Sequence, residues 1–229
     1  MDVTNNTQRQ DKSSITRFYD SLAPVYASLR DYRHKRDTDV KNHLVNALAP
    51  FNNDTILDIG TGPGVYAFDI AKTAPSCRVV GLDISQTFVD IATERAKKAS
   101  VANVEFALGN IEKLEFADDS FSKIICAGVI SVVGKRNDAV RELSRVLSPG
   151  GVLAVREPTR SDSSFSRMIC GLPDKSRIRR LCSQTGLLFG HFSPDFMTEK
   201  ELRALFDSAN FSSISFDVHG QDILITATK

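Results

Sequence analysis

The run Thr55-Ile56-Leu57-Asp58-Ile59-Gly60-Thr61-Gly62-Pro63-Gly64 is an apolar strand that empties into glycines at 60, 62 and 64. Lacking a Cβ, glycines at alternate positions tolerate positive φ and close approach, so the turn can bring bare backbone against a nucleoside-bearing cofactor. Asp83 closes the next apolar run, Arg78-Val79-Val80-Gly81-Leu82-Asp83. That is about the first-to-second strand distance at which a βαβ unit sets a ribose-binding carboxylate. An ordinary strand-to-helix turn rarely needs three such glycines, and Asp83 adds a second, independent reason to read a ligand loop.

Around this unit, strand-like and helix-like runs alternate: strands at 55–59, 78–83, 103–107, 122–127 and 151–156, with helices from 65, at 86–99 and at 136–147. Such alternation implies an α/β fold with a parallel sheet covered on both faces. Ser85 is placed to cap the helix of 86–99, whose inward face carries Phe88, Ile91, Ala92 and Ala96. Ala139, Val140, Leu143, Val146 and Leu147 form the corresponding face of 136–147, and Pro149-Gly150-Gly151 is expected to end that helix and turn the chain. Thr198-Glu199-Lys200-Glu201 reads as a capping box for a helix with Leu202, Leu205, Phe206 and Ala209 inward. The closing strands, Ser213 to Val218 and Asp222 to Thr228, are too near each other for a crossover helix, so they form an antiparallel hairpin.

At 229 residues the chain suits one substantial core. Residues 1–12 read as a loose polar tail, 13–50 as an N-terminal helical cover, and 51–229 as the main domain, with an irregular insertion at about 157–197. Lys and Arg total 29 against 28 Asp and Glu, so no global field recruits nucleic acid or an anionic membrane. Cys77, Cys126, Cys170 and Cys182 form no CxxC pair and no metal spacing. No N-terminal apolar leader and no membrane-length apolar run is present, and a reducing cytoplasm is the expected setting.

Together with Gly109-Asn110-Ile111-Glu112-Lys113-Leu114-Glu115-Phe116-Ala117-Asp118-Asp119-Ser120-Phe121 and the turn Leu147-Ser148-Pro149-Gly150-Gly151, these features resemble the class I S-adenosylmethionine-dependent methyltransferases. The likeness is to the small-molecule branch that includes the ubiquinone and menaquinone biosynthesis C-methyltransferases, and it spans roughly residues 14–229. It implies a doubly wound, Rossmann-like sheet of seven strands, mostly parallel, in which the last strand inserts antiparallel between the fifth and sixth. It also implies S-adenosylmethionine as the methyl donor.

The resemblance assigns the donor's parts to particular residues. Asp83, followed by Ile84, would take the ribose diol. Gly60, Thr61, Gly62 and Gly64 form the loop, and Asp58 would hold the ammonium or, equally well, tie the loop together from behind. Asn110 and the N–H of Ile111 would meet the adenine edge, Ala127 would lie near the methyl, and Tyr19 and Tyr26 belong to the N-terminal cover.

Methyl transfer is an in-line displacement that needs alignment and exclusion of water more than a protein nucleophile, and positioning can supply about 7 to 11 kcal/mol. No catalytic base is therefore assigned; His191 is the weak candidate, ahead of His219, Tyr19 and Tyr26. Arg156, Arg160, Arg167, Lys175, Arg177, Arg179 and Arg180 outweigh Glu157, Asp162 and Asp174 by seven to three. That excess would suit an anionic small-molecule acceptor, although a solvated helical face is the more economical reading. The alternatives are an RNA methyltransferase tracking phosphates on those arginines, an NAD-dependent oxidoreductase, whose third glycine usually falls one residue later, and a noncatalytic cofactor-binding subunit.

Overall fold

A computed structural model describes Thr16, Arg17, Tyr19, Asp20, Ala23, Tyr26 and Ala27, which are helical, and residues 38–158, 196–220 and 222–229. The elements in order are α1 (Thr38–Leu48), β1 (Thr55–Ile59), α2 (Val65–Thr73), β2 (Arg78–Asp83), α3 (Gln86–Ala99), β3 (Val104–Leu108), β4 (Phe121–Ala127), α4 (Arg136–Val146), β5 (Leu147–Pro158), α5 (Glu199–Asp207), β6 (Ser213–His219) and β7 (Asp222–Thr228). One sheet holds all seven strands in the order β3-β2-β1-β4-β5-β7-β6. Strands β1 to β5 pair in parallel, whereas β7 runs antiparallel to both β5 and β6. The expected insertion of the last strand between the fifth and sixth is thus observed.

Strand periodicity divides the core. In β1, Ile56 faces the layer that holds Leu44, Leu48, Tyr66, Ala67 and Ile70 of α1 and α2, while Leu57 and Ile59 face the layer formed by α4 and α5. The same split separates Ile125 from Ile124 and Cys126 in β4, and Ala154 from Leu153 and Val155 in β5. Buried on both faces, these strands read as continuous apolar runs. Each fully buried Leu or Ile contributes roughly 1.5 to 3 kcal/mol, so truncating a central one such as Ile124 to Ala would cost about 2 to 5 kcal/mol.

The caps behave as their chemistry requires. The Ser85 side chain accepts from Phe88 N at 3.3 Å, and Thr198 and Glu201 form the reciprocal capping box. Three expectations need correction. Ile91 is only half-buried; Val89 joins Phe88, Ala92 and Ala96 on the inner face of α3. Helix α4 ends at Val146, and Leu147 already pairs with Phe121, so β5 starts before the Pro-Gly-Gly turn; Gly150 takes φ +75° within it. The strand also continues to Pro158, which removes Arg156 and Glu157 from the irregular segment. The tail, His191 and the rest of the arginine-rich stretch lie outside the described residues. Among the described residues, no helix is long and apolar enough to cross a membrane.

Candidate functional site

Because the chain proceeds from β1 to β2 on one side and from β4 to β5 on the other, the strand order reverses between β1 and β4, and a crevice opens there above the carboxyl ends of the parallel strands. A cavity of about 510 Å³ occupies it, within the range usual for small-ligand sites. Of the residues expected from sequence, Tyr19, Tyr26, Gly60, Gly62, Asp83, Ile84, Asn110, Ile111 and Ala127 line this cavity.

The loop after β1 is shaped by hydrogen bonds at its back and by space at its front. Gly60 N and Thr61 N both donate to Leu82 O, at 2.8 and 3.1 Å, which folds the loop over the end of β2. Asp58 is buried; its Oδ2 accepts from the Thr61 hydroxyl at 2.7 Å and from Ala67 N at 3.2 Å, joining the loop to the first turn of α2. Asp58, Thr61 and Gly64 stand behind the lining. Gly62 faces forward with φ +53°, and a Cβ built there meets nothing within 4 Å. The vacant volume before Gly62 is a cradle that a side chain would fill, and it fits the backbone approach that a nucleoside cofactor requires.

Asp83, the last residue of β2, is buried beside that cradle. Its Oδ2 accepts from Gly62 N at 2.8 Å and its Oδ1 from Ser85 N at 2.9 Å. Burial pushes its carboxyl up to about 6, and Asp20 adds to the rise, while the N–H groups of Ser85, Gly62 and Ile84 oppose it. The carboxylate therefore serves the loop and the helix start at once, and it lines the cavity.

Phe88, read from sequence only as a core residue, lines the cavity with two aromatic neighbours. Its ring centroid lies 5.5 Å from Tyr26 and 6.3 Å from Tyr19, and the two tyrosines meet edge to face at 6.3 Å. Asp20 fastens this wall to α3, since its Oδ1 accepts from the Ser85 hydroxyl and from Thr87 N. Asn110 Oδ1 accepts from Glu112 N at 3.1 Å, a side-chain turn that sets the loop after β3.

The opposite wall was not legible as a site. Gly128 to Val129, with Val132 to Lys135, line it. Glu157 supports it from beneath, fully buried, accepting from Val129 N at 2.9 Å, Ile130 N at 2.8 Å, Ser131 N at 3.1 Å and the Ser131 hydroxyl at 2.6 Å. Burial raises its carboxyl above the ordinary range, against the pull of those donors. Arg156, its neighbour, pairs with Asp222 at 2.8 Å between β5 and β7. Neither residue belongs to a solvated basic face. His219 ends β6, one residue beyond the expected strand end at Val218, and it is not part of the cavity lining.

The crevice, the loop and the strand order together match what known proteins show. Residues 50–210 match the family of methyltransferase domains. The chain belongs to the class I methyltransferase family. The ubiquinone/menaquinone biosynthesis C-methyltransferase UbiE of Geotalea daltonii is 32% identical over 154 residues, covering 66% of this chain and 65% of that protein. An arsenite methyltransferase of Halobacterium salinarum is 30% identical over 169 residues, 73% of this chain and 39% of that protein. The chain thus spans less than two thirds of the length of these curated relatives. In structure, a SAM-dependent methyltransferase from Aquifex aeolicus superposes with a TM-score of 0.61 at 18% identity, over 95% of this chain and 98% of that one. The cyclase SpnF superposes at 0.72 with 16% identity, over 95% and 96%. The two likenesses share a fold while their names differ in chemistry, so the fold by itself does not choose a reaction.

Proposed function

We propose that this methyltransferase-family chain moves a methyl group from S-adenosylmethionine to a small organic acceptor. The observation that carries the reading is the junction of an open glycine backbone at Gly62 with the Asp83 carboxylate, on the rim of a cavity of about 510 Å³. The donor supplies an activated methyl: as its bond to sulfur breaks, a bond to the acceptor forms, the sulfur keeps the electron pair, and any acceptor proton passes to solvent or a base.

The chain's own residues bind and align. Asp83 can accept from both ribose hydroxyls, and Gly62 lets the main chain approach the nucleoside. Asn110 and Ile111 border the region where the adenine edge is expected. The rings of Tyr19, Tyr26 and Phe88 offer electron-rich faces that favour a sulfonium and keep water away from it. Asp58, hydrogen-bonded to Thr61 and Ala67, supports the reading of a residue that ties the loop from behind, with any hold on the ammonium made through the loop. Val132 and Val133 give the cavity an apolar side, which suits an organic acceptor and not a phosphate track.

The test is incubation with radiolabelled methyl donor and fractionated small-molecule extract, followed by mass spectrometry of the labelled product. Label transferred to a small organic molecule supports the proposal. Label found only on RNA, or stabilisation by NAD and not by S-adenosylhomocysteine in thermal unfolding, overturns it.

A further inference from the structure

At the outer edge of the sheet, away from the cavity lining, two imidazoles and a carboxylate converge. Strand alternation explains half of this: Ile214 and Phe216 of β6 pack against the α4 and α5 layer, so Asp217 and His219, one residue out of phase, turn to the other face. Helix α1 covers that face through Leu44 and Leu48, which brings in the adjacent His43. His219 Nε2 lies 2.9 Å and His43 Nε2 3.4 Å from the same oxygen, Asp217 Oδ2, and the two rings are 4.3 Å apart between centroids. Candidate ligand atoms of all three residues lie within 4.8 Å of one another.

We propose that His43, Asp217 and His219 bind a first-row divalent cation, with Zn²⁺ as the defining case. Ligands about 2.0 to 2.1 Å from a tetrahedral Zn²⁺ stand roughly 3.3 Å from each other; the two distances to Asp217 Oδ2 lie within a few tenths of an ångström of that, and the two imidazoles, whose ligand atoms lie within 4.8 Å of each other, close the remainder by side-chain rotation. Nitrogen with one oxygen is a donor set for zinc or its neighbours and not for magnesium or calcium, which take oxygen. A metal ion would give the three groups a single centre to which all of them bond. Side-chain exposures of 44% for His43, 59% for Asp217 and 37% for His219 leave solvent room to complete the coordination. Bound there, the ion clasps α1 to the terminal hairpin, and it adds a site separate from the methyl-transfer reading.

The experiment titrates the full chain, free of any affinity tag, with ZnCl₂ by calorimetry and by competition with a chromogenic chelator. One ion per chain is expected. His43→Ala, His219→Ala and Asp217→Asn should each weaken it by at least about tenfold, the scale on which even supporting partners of metal ligands act. Each variant is checked for unchanged circular dichroism and S-adenosylhomocysteine binding, and His43→Gln gives a milder replacement should the alanine fail to fold. Zinc-edge absorption should show two imidazoles. No stoichiometric binding, equal affinity in the His43→Ala/His219→Ala double variant, or sulfur in the coordination shell overturns the proposal.

Discussion

The amide of Gly62 donates to the carboxylate of Asp83 at 2.8 Å, so the glycine loop and the acid that ends the second strand form one unit. A charged hydrogen bond of this kind is worth about 1.5 to 3 kcal/mol, or roughly ten- to a hundredfold in affinity. Asp83→Ala should weaken S-adenosylhomocysteine binding by that factor in calorimetry. The loop loses an anchor and the ligand loses its diol acceptor in the same substitution. Unchanged affinity would remove Asp83 from the site.

Buried with its carboxyl raised from 3.8 to about 6, Asp83 is a pH-dependent element. A raised carboxyl pKa means that the fold disfavours the ionised form, so its stabilising contribution is complete below about 3.8 and is lost as pH rises through about 6. The scale is about 3 kcal/mol, from roughly 1.4 kcal/mol per unit of pKa. Chemical denaturation of wild type against Asp83→Asn should therefore show the wild type losing ground by up to that amount between about pH 4 and pH 7. Ligand affinity should run the opposite way, because hydroxyls donate best to the ionised carboxylate: binding tightens as pH climbs through about 6 and then levels off. A variant curve parallel to the wild-type curve would contradict this account.

Two glycines two residues apart should fail differently. At Gly60, φ is +64° and an added Cβ would lie 2.3 Å from Val129 Cγ2. Gly60→Ala should cost about 2 to 4 kcal/mol through left-handed strain and overpacking together, which for a chain of this size lowers Tm by several degrees. Gly62, with φ +53° and no neighbour within 4 Å, carries only the conformational cost, about 1 to 2 kcal/mol. Its new methyl would stand in the cradle, so Gly62→Ala should lose at least about tenfold in cofactor affinity, or about 1.4 kcal/mol. Thermal unfolding paired with ligand titration separates the two. Equal effects on both readouts would defeat the distinction.

What could be read from sequence were contacts between elements adjacent in the chain. Glycines 60, 62 and 64 and Asp83 belong to one βαβ unit, and parallel register sets Ile59 opposite Leu82 with the loop bonded to Leu82 O. Ser85, Thr198 and Glu201 announce their caps because capping acts within three residues. The placement of β7 came from the family resemblance, since alternation cannot order strands. Glu157 escaped because it bonds to main-chain N–H groups 26 to 28 residues away, which have no side-chain signature. At the end of an apolar strand, Arg156-Glu157 reads like a charged exit into solvent. Phe88 was recognised as buried, but burial in the core and burial against a cavity look alike in a helical pattern.

Glu157 supplies the last prediction. Its Oε1 serves Val129 N and Ile130 N, and its Oε2 serves Ser131 N and the Ser131 hydroxyl, so one carboxylate organises the turn that forms a cavity wall. Glu157→Ala leaves those donors without their acceptor and should cost about 3 kcal/mol or more. Glu157→Gln keeps a carbonyl oxygen for Val129 and Ile130 but sets an NH₂ against Ser131 N, so its loss should be smaller, on the order of 1 to 2 kcal/mol. Cofactor affinity should fall in the same order, because Gly128 and Val129 line the cavity. The pH dependence has a sign as well: burial raises this carboxyl above 4.5, so its contribution to stability is greatest when protonated and declines as pH rises through the folded value. The alanine variant should thus gain on wild type as pH increases while remaining the less stable protein. Denaturant titrations across that range give the test, and an alanine variant as stable as wild type at every pH would mean that the turn holds itself without the acid.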